Sequence, residues 1–401
     1  MRPKLIIVGG GASALMLASE IDTKKYEVSL FESNKTLGRK FLVAGDGGLN
    51  LTHSEIASEF IKRYTPSDFL KEAFQFFSNH DLINWFHHNG IETFVGSSKR
   101  VFPKKGIKPI EVLKMFSKKI ENNKVNVFFE HELIDFNGQG EFIFKNQEQE
   151  KVVKSDIVVF CLGGGAWPIT GSKGNYLHMF QKHNIQTEFF QASNCAYHVN
   201  WPSQFIQKHH GAMLKNCQLR CGEAMHLGEV VLTHFGIEGS GIYPLSPAIR
   251  KQLKEFSLAQ VFIDLKPQLS ADEIKKRINV KASKNLSASL NKQLKLTPAQ
   301  IAMMKAHLTK DDFLNIDKLS LLIKNFPIQI ISAGPIQEAI STVGGISLNA
   351  IDESYALKNL KNHFVIGEML DYDATTGGYL LQSCFSMAKF LAQTLNLKAH
   401  I

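Results

Sequence analysis

Near the start of the chain, Gly9-x-Gly11-x-x-Ala14 follows directly on the apolar run Leu5-Ile6-Ile7-Val8. Residues of these types at this spacing can hold a pyrophosphate. Gly9 permits a tight turn, Gly11 lets the backbone approach the phosphates, and Ala14 lets a helix pack closely on the preceding strand. The free N–H groups of that helix's first turn, with its dipole, favour a dianionic ligand. A second strand, Glu27-Val28-Ser29-Leu30-Phe31, ends at Glu32, an acid 23 positions after Gly9. That is near the spacing of roughly 20 residues at which a carboxylate receives ribose hydroxyls. An acid there suits an unphosphorylated adenosine ribose, as in FAD or NAD, better than NADP. Glycine-rich turns and strand-end carboxylates are each common. The order strand, turn, helix, strand, acid is what carries the reading.

Other chemistry-bearing residues give weaker patterns. His234, in Thr233-His234-x-Gly236, reads as lying in an apolar strand before a glycine turn, and is the candidate for handling a proton; a hydrogen-bonded structural histidine is the plainer alternative. His53 is a second candidate on the same logic. The five cysteines are scattered and none forms Cys-x-x-Cys, so neither a disulfide framework nor a dithiol pair is expected. Cys217-x-x-x-Cys221 with His226 fits a metal poorly and lacks a fourth ligand, so no metal is expected.

The elements that must position these groups can be followed along the chain. At 401 residues, 44% hydrophobic and 21% charged, it has room for two or three domains. No apolar stretch reaches the roughly 18 residues that span a bilayer, and glycines interrupt the only signal-peptide-like run, so a cytoplasmic protein is expected. The glycine-rich stretch Ala44 to His53, flanked by Arg39-Lys40 and Asn50-Leu51-Thr52, reads as a loop wrapping a cofactor. Helical periodicity covers Ser67 to His88 and Ile110 to Ile120, with Arg100 to Lys105 a basic loop between them. Val125 to Val153 reads as a three-stranded meander, and Asp156 to Cys161 as a buried parallel strand leading into Gly163-Gly164-Gly165.

From about Gln191 the pattern changes. Residues 191–265 read as strands and turns, residues 270–324 as helices opened by Ser270-x-x-Glu273 and Thr297-Pro298-x-Gln300 caps, and strands resume at Ile328. The expected division is a discontinuous cofactor domain (1–190 and 340–401), a β-rich insertion (191–268 and 326–339) and a helical domain (269–325). A last strand, His363 to Ile366, feeds Gly367-Glu368, Asp371 and the loop Ala374 to Gly378 before a closing helix. Two glycine turns at helix starts suit an elongated two-phosphate ligand. The net charge of +9 is uneven, with 15 Lys+Arg against 7 Asp+Glu between Arg250 and Lys324. Only Phe256, Phe262 and Phe313 fall among those lysines, too few for a stacking surface, so a solvated surface is expected there rather than a nucleic-acid site.

Taken together, Gly9-x-Gly11-x-x-Ala14, Glu32, Gly38-Arg39-Lys40, the Gly45 to Thr52 loop, Thr233-His234-x-Gly236, Gly344-Gly345 and Gly367-Glu368-x-x-Asp371 through Thr376-Gly377-Gly378-Tyr379-x-Leu381-Gln382 form a set. The set resembles the bacterial NAD(P)/FAD-dependent oxidoreductase flavoproteins that include aminoacetone oxidase and a proposed bile-acid reductase. The likeness runs through nearly the whole chain. It implies an α/β fold: a Rossmann-like FAD-binding domain of the glutathione-reductase type with an inserted β-barrel-like domain and a helical domain. It implies that Gly9, Gly11 and Ala14 contact the pyrophosphate and Glu32 the adenosine ribose. Arg39, Lys40 and Asn50 would line the ribityl and isoalloxazine side, and Gly367, Glu368 and Asp371 the ribityl–phosphate region. Gly378 and the residues after it would meet the pyrimidine edge, where a helix N-terminus would stabilise negative charge on reduced flavin. Ala12, Ser13, Ser33, Leu42, Leu51, Thr52, Leu133, Gly163, Gly164, Thr376, Gly377, Tyr379 and Leu381 complete the implied FAD contacts.

Two departures bear on substrate. The chain has Gly48-Leu49-Asn50-Leu51-Thr52 where the relatives commonly carry Arg and Cys, and Glu238-Gly239-Ser240-Gly241 where they carry Ser-Gly-Pro. It is similar instead to an uncharacterised subgroup with Gly-Leu-Asn-Leu-Thr-His. The expected activity is FAD-dependent exchange of a hydride or two electrons with a small molecule, as an amine oxidase reoxidised by dioxygen. The alternatives are an NAD(P)H-dependent reductase of unsaturated or carbonyl compounds and an FAD-containing RNA-associated protein.

Overall fold

The computed structural model describes residues 1–44, 48–278 and 285–398. Gly45, Asp46 and Gly47 of the glycine-rich loop, and Lys281 and Lys284 of the basic segment, lie outside the described residues. The chain divides into two compact units, Met1–Gln191 with Ile340–Ile401, and Ala192–Ala339.

The first unit is built on a five-stranded sheet in the spatial order His363–Val365, Ile157–Phe160, Lys4–Val8, Glu27–Phe31, Asn126–Phe128. Every adjacent pair is parallel. Val8 aligns with both Phe31 and Phe160, so the strands end level and deliver Gly9, Glu32 and Cys161 to one edge. The central strands are continuous apolar runs because both faces are covered. The helix Ala12–Glu20 buries six consecutive residues, Ser13 to Ala18. A helix with no polar face must lie inside a domain, and small residues let it approach its neighbours.

Several local expectations change. Asn126–Phe128 is the edge strand of the parallel sheet, and the antiparallel three-stranded sheet is Glu132–Phe136, Glu141–Asn146 and Gln149–Lys154. The helical pattern from Ser67 breaks into Lys71–Phe76 and Asn79–His88, because the Ser78 hydroxyl caps a new helix on the Asp81 N–H. The basic loop is the strand Arg100–Pro103, paired with Thr52–His53 on one side and Thr93–Val95 on the other.

In the second unit a closed barrel runs Tyr197–Val199, Gly236–Glu238, Ala224–Leu232, Met213–Cys221, Ala259–Asp264, Phe326–Ala333. Alternate residues Leu214, Leu219, Val230, Leu232, Val261, Ile263, Ile328 and Ile330 fill its interior. Cys217 and Cys221 point inward with them, and burial pushes the Cys217 thiol up to about 12. Two helices, Ser203–His209 and Ser246–Phe256, interrupt the stretch read as strands and turns. The helices between Ala271 and Lys324 include those capped by Ser270 and Thr297 through reciprocal side-chain bonds.

Leu219 is fully buried in the barrel wall. Leu219→Ala is expected to cost about 2–5 kcal/mol, read from the urea midpoint of the unit's transition. A loss below about 1 kcal/mol would mean that the interior is not close-packed there.

Candidate functional site

At the edge where the strands end, a cleft of about 670 Å³ opens in the first unit. It is lined by Gly9, Gly11, Glu32, Ser33, Arg39, Lys40, Leu133 and Gly163 of the candidate set. Gly9 has φ +100°, and a Cβ there would lie 2.4 Å from the Cys161 carbonyl. A Cβ on Gly11 would meet nothing within 4 Å, so this glycine leaves open space above the helix start. The helix has no side-chain cap. Among the described residues no acceptor takes the N–H groups of Gly11, Ala12, Ser13 or Ala14. Unsatisfied amides at a helix start that opens on the cleft at Gly11 are the kind of donor set a pyrophosphate requires. Ser172, also in the lining, holds a buried hydroxyl oxygen with no partner. The residues present therefore fit the pyrophosphate of FAD.

Glu32 is buried at the end of its strand. Its carboxylate accepts from the Gly10 N–H at 2.7 Å, the Asn34 N–H at 2.7 Å and the Asn34 amide at 2.6 Å. Gly10 was not among the sequence candidates, yet a Cβ on it would lie 2.7 Å from the same carboxylate and 2.6 Å from Leu37. The middle glycine is what lets the acid reach the turn. Asn34 also accepts from Arg39, so it ties the acid to the cation across the cleft mouth.

Further along the unit, Lys40 pairs with the buried Glu368 at 2.8 Å, and Glu368 accepts from the Thr342 N–H at 3.1 Å. Gly164 packs against Thr342 and Glu368, and Gly367 sits against Ser13 of the first helix turn. Asp371 accepts from the Gly344 N–H at 2.9 Å. A Cβ on Gly378 would fall 2.6 Å from the Thr52 backbone, which presses the start of the helix Tyr379–Lys398 against the short strand Thr52–His53. Among the described residues no acceptor takes the N–H groups of Gly378, Tyr379, Leu380 or Leu381. The Asn50 side-chain oxygen is buried and unpartnered.

Other candidates are occupied within the protein. Ala14 and Leu51 are fully buried in the core, and Leu42 and Leu381 pack against it. The Thr52 hydroxyl bonds Gln382 at 2.7 Å. The Tyr379 hydroxyl donates to Glu55 at 2.5 Å, and Arg63 clasps the same carboxylate at 3.0 and 2.9 Å. Burial pushes the Glu55 carboxyl up, but the Arg63 and Tyr379 bonds outweigh it and leave the group below its usual range. Burial, then Glu55, holds the Tyr379 phenol far above its usual range.

His53 stacks on Tyr379 with ring centroids 5.3 Å apart. Its Nδ1 accepts from the Glu55 N–H at 3.2 Å and its Nε2 faces the Ser98 carbonyl at 3.2 Å, which fixes a neutral ring protonated on Nε2. Burial keeps that imidazole below its usual range.

His234 is not in a strand. Ala224–Leu232 stops two residues earlier, and His234 lies exposed in the bend before Gly236–Glu238, stacked on His210 with centroids 3.9 Å apart. The Thr233 N–H donates to the Gly236 carbonyl at 2.9 Å and the Gly236 N–H to the Thr233 carbonyl at 3.3 Å, which closes that bend and ends the strand before His234. Sequence reading missed Gly10, Asn34, Thr342, Ser172, Glu55 and Arg63. Gly10, as the centre of a three-glycine run, and Ser172, within the glycine-flanked turn Gly171-Ser172-Lys173-Gly174, carried a signal.

A parallel sheet ending in a glycine turn, an acid and an uncapped helix start defines a dinucleotide-binding fold, here that of an FAD-dependent flavoprotein oxidoreductase. The chain belongs to the family described as HI0933-like protein Rossmann domain, whose profile matches residues 3–394. It is 21% identical to a ribosomal RNA dihydrouridine synthase of Haemophilus influenzae, over 98% of this chain and 98% of that one. It is 22% identical to a 3-dehydro-bile acid delta(4,6)-reductase of Clostridium scindens, over 94% and 95%. In fold it resembles a 3-ketosteroid-delta4-(5alpha)-dehydrogenase of Rhodococcus jostii, with TM-score 0.50 and 13% identity over 100% of this chain and 97% of that one. No helix among the described residues is long and apolar enough to cross a membrane.

The Glu55 carboxyl is held low in the folded state, so its stabilising contribution is present above its unfolded value near pH 4.3 and is lost as pH falls through its folded value. Glu55→Gln is therefore expected to lower Tm by about 2–4 °C at pH 7 and by less at pH 3. Thermal scans at the two pH values check this, and a gap that widens in acid would reverse the assignment.

Proposed function

We propose that this flavoprotein is a reductase that adds hydrogen across a carbon–carbon double bond conjugated to a carbonyl, using NADH or NADPH as the reductant. The open space over Gly11, beneath four unaccepted amides, carries the cofactor side of the reading. The reductive direction is supported by two relatives, one named for forming dihydrouridine and one for a delta(4,6)-reductase activity. Bound FAD supplies a carrier for two electrons between reductant and substrate.

The chain's own residues bind and orient. The amides of Gly11 to Ala14 hold the pyrophosphate, and Glu32 takes the adenosine ribose. Lys40, fixed by Glu368, and Asn50, with its free oxygen, face the ribityl and ring side. The unaccepted N–H groups from Gly378 to Leu381 stabilise negative charge at the pyrimidine edge. His234 is the proton-handling group, a role that its exposed ring allows.

A second reading places the reducible double bond in a pyrimidine of RNA, because two relatives are named for ribosomal RNA. Membership of the Gly-Leu-Asn-Leu-Thr-His subgroup, kinship to aminoacetone oxidase and a cytoplasmic location stay with this proposal; five free buried cysteines suit a reducing compartment.

Stopped-flow mixing under argon tests the direction. NADH or NADPH is expected to bleach the flavin. Bleaching by aminoacetone, with neither nicotinamide reacting, would mark an amine oxidase and overturn the reading. His234→Ala is expected to keep FAD bound and cut turnover at least tenfold; unchanged turnover would remove His234 from the account.

A further inference from the structure

We propose that a second cavity in the first unit, beside the dinucleotide cleft, binds a medium-chain carboxylate lying lengthwise with its head at Lys114. The cavity is a groove of about 420 Å³ between the helix Pro109–Asn122 and Asn126–Phe128, the edge strand of the parallel sheet. Thr36 is the one lining residue it shares with the cleft. Its first wall is the helix stripe Ile110, Leu113, Ser117 and Ile120, at the three- and four-residue spacing of a single face. Its second wall is Val125, Val127 and Phe129. Phe128 stacks on Phe31 on the opposite face of the sheet, so the pleat turns these alternate residues toward the helix. Midway, the helix supplies only Ser117, whose hydroxyl turns back onto the Leu113 carbonyl at 3.1 Å and leaves the space open.

The two ends of the groove differ in charge. Gly38 lies against Leu113, where a Cβ would come within 2.6 Å, and the Glu130 N–H donates to the Asn34 carbonyl at 3.1 Å. These contacts gather Lys35, Ile110, Lys114 and Phe129 at one end. At the other end the Val125 N–H donates to the Ile120 carbonyl at 3.3 Å, and Glu121 stands beside it in the lining. Lys114 is exposed and has no ion-pair or hydrogen-bond partner among the described residues. Lys35 has only the exposed Glu130 at 3.8 Å, a contact worth little in water. Ile110 and Phe129, 42% and 41% exposed, flank this cationic mouth, and Leu37, Leu113, Ile120 and Val125 are buried along the length.

From Ile110 to Ile120 the helix rises about 15 Å, the reach of an extended medium-chain acid. A carboxylate entering here meets two cations at one end and a like charge at the other. That polarity fixes both the class of ligand and its direction. An alkylammonium would have to reverse, and its tail would then end among the lysines. The sequence marks Ile110 to Ile120 as a helix with an apolar stripe, but gives no sign that part of the stripe overlooks a sheet edge with nothing packed between. The site stands apart from the reductase reading and does not depend on it.

The test uses the full chain with FAD in excess, so that the dinucleotide cleft is filled, and titrates it with decanoate at neutral pH by calorimetry. Saturable binding is expected below ~1 mM, and should tighten about three- to fourfold for each CH2 added from hexanoate to decanoate. Decylammonium should bind at least fivefold more weakly than decanoate. Lys114→Gln should weaken decanoate binding at least threefold. Lys118→Gln removes the same charge from the same helix outside the groove and should change it less than twofold. Ser117→Phe, which fills the middle of the groove from an exposed helix position, should weaken it at least tenfold at unchanged Tm.

No saturable binding at ~1 mM, equal affinity for the acid and the amine, or equal effects of the two lysine substitutions would overturn the proposal. Undiminished binding by a folded Ser117→Phe chain would overturn it as well. If Ser117→Phe lowers Tm, the two lysine substitutions decide.

Discussion

Backbone amides that nothing in the protein satisfies are the constraint on which the first unit depends. A helix leaves its first N–H groups without partners, and burying them unpaired is costly. Here two helix starts, Gly11 to Ala14 and Gly378 to Leu381, leave such groups among the described residues. Both are held in place by glycines whose Cβ atoms would collide with neighbouring backbone, Gly9 on Cys161 and Gly378 on Thr52. The sheet brings the Gly9 turn to its edge, and the glycines let both turns close. A dinucleotide cofactor with two phosphates supplies what the amides lack.

The same logic explains why the acids near the cleft are so heavily engaged. Glu32 takes the Gly10 and Asn34 donors, Glu368 takes Lys40 and Thr342, and Asp371 takes Gly344. Glu32 fixes the glycine turn, and Glu368 and Asp371 tie the segment after Ile366 to the strand Ser341–Ile346. The glycines allow close approach, and the acids restore the rigidity that glycine costs.

Much of this was legible in the chain. Apolar runs with no alternation imply strands covered on both faces, and that pattern correctly marked Lys4–Val8 and Ile157–Phe160. A dinucleotide-binding α/β architecture followed from motif order and the helical segment from its caps, whereas FAD and the barrel were what the family resemblance implied. Tertiary partners were not legible. Lys40 and Glu368 lie 328 positions apart, so no local pattern joins them. Arg100–Pro103 read as a loop because its Arg and Pro are poor strand signals, but two flanking strands override propensity there. Ser246–Phe256 carried a readable signal, Pro at its first turn and a helical period, that the surrounding strands masked. His234 was placed one element too early, since the hydrophobic run through Leu232 gives no sign of where the ladder ends.

The account stands on FAD being held by these glycine turns, and the flavin content of the purified chain tests that most directly. The visible spectrum, followed by heat release and identification of the chromophore, should give close to one FAD per chain. A colourless protein that also fails to take up added FAD would contradict it, and the unaccepted amides of Gly11 to Ala14 would then need another anion.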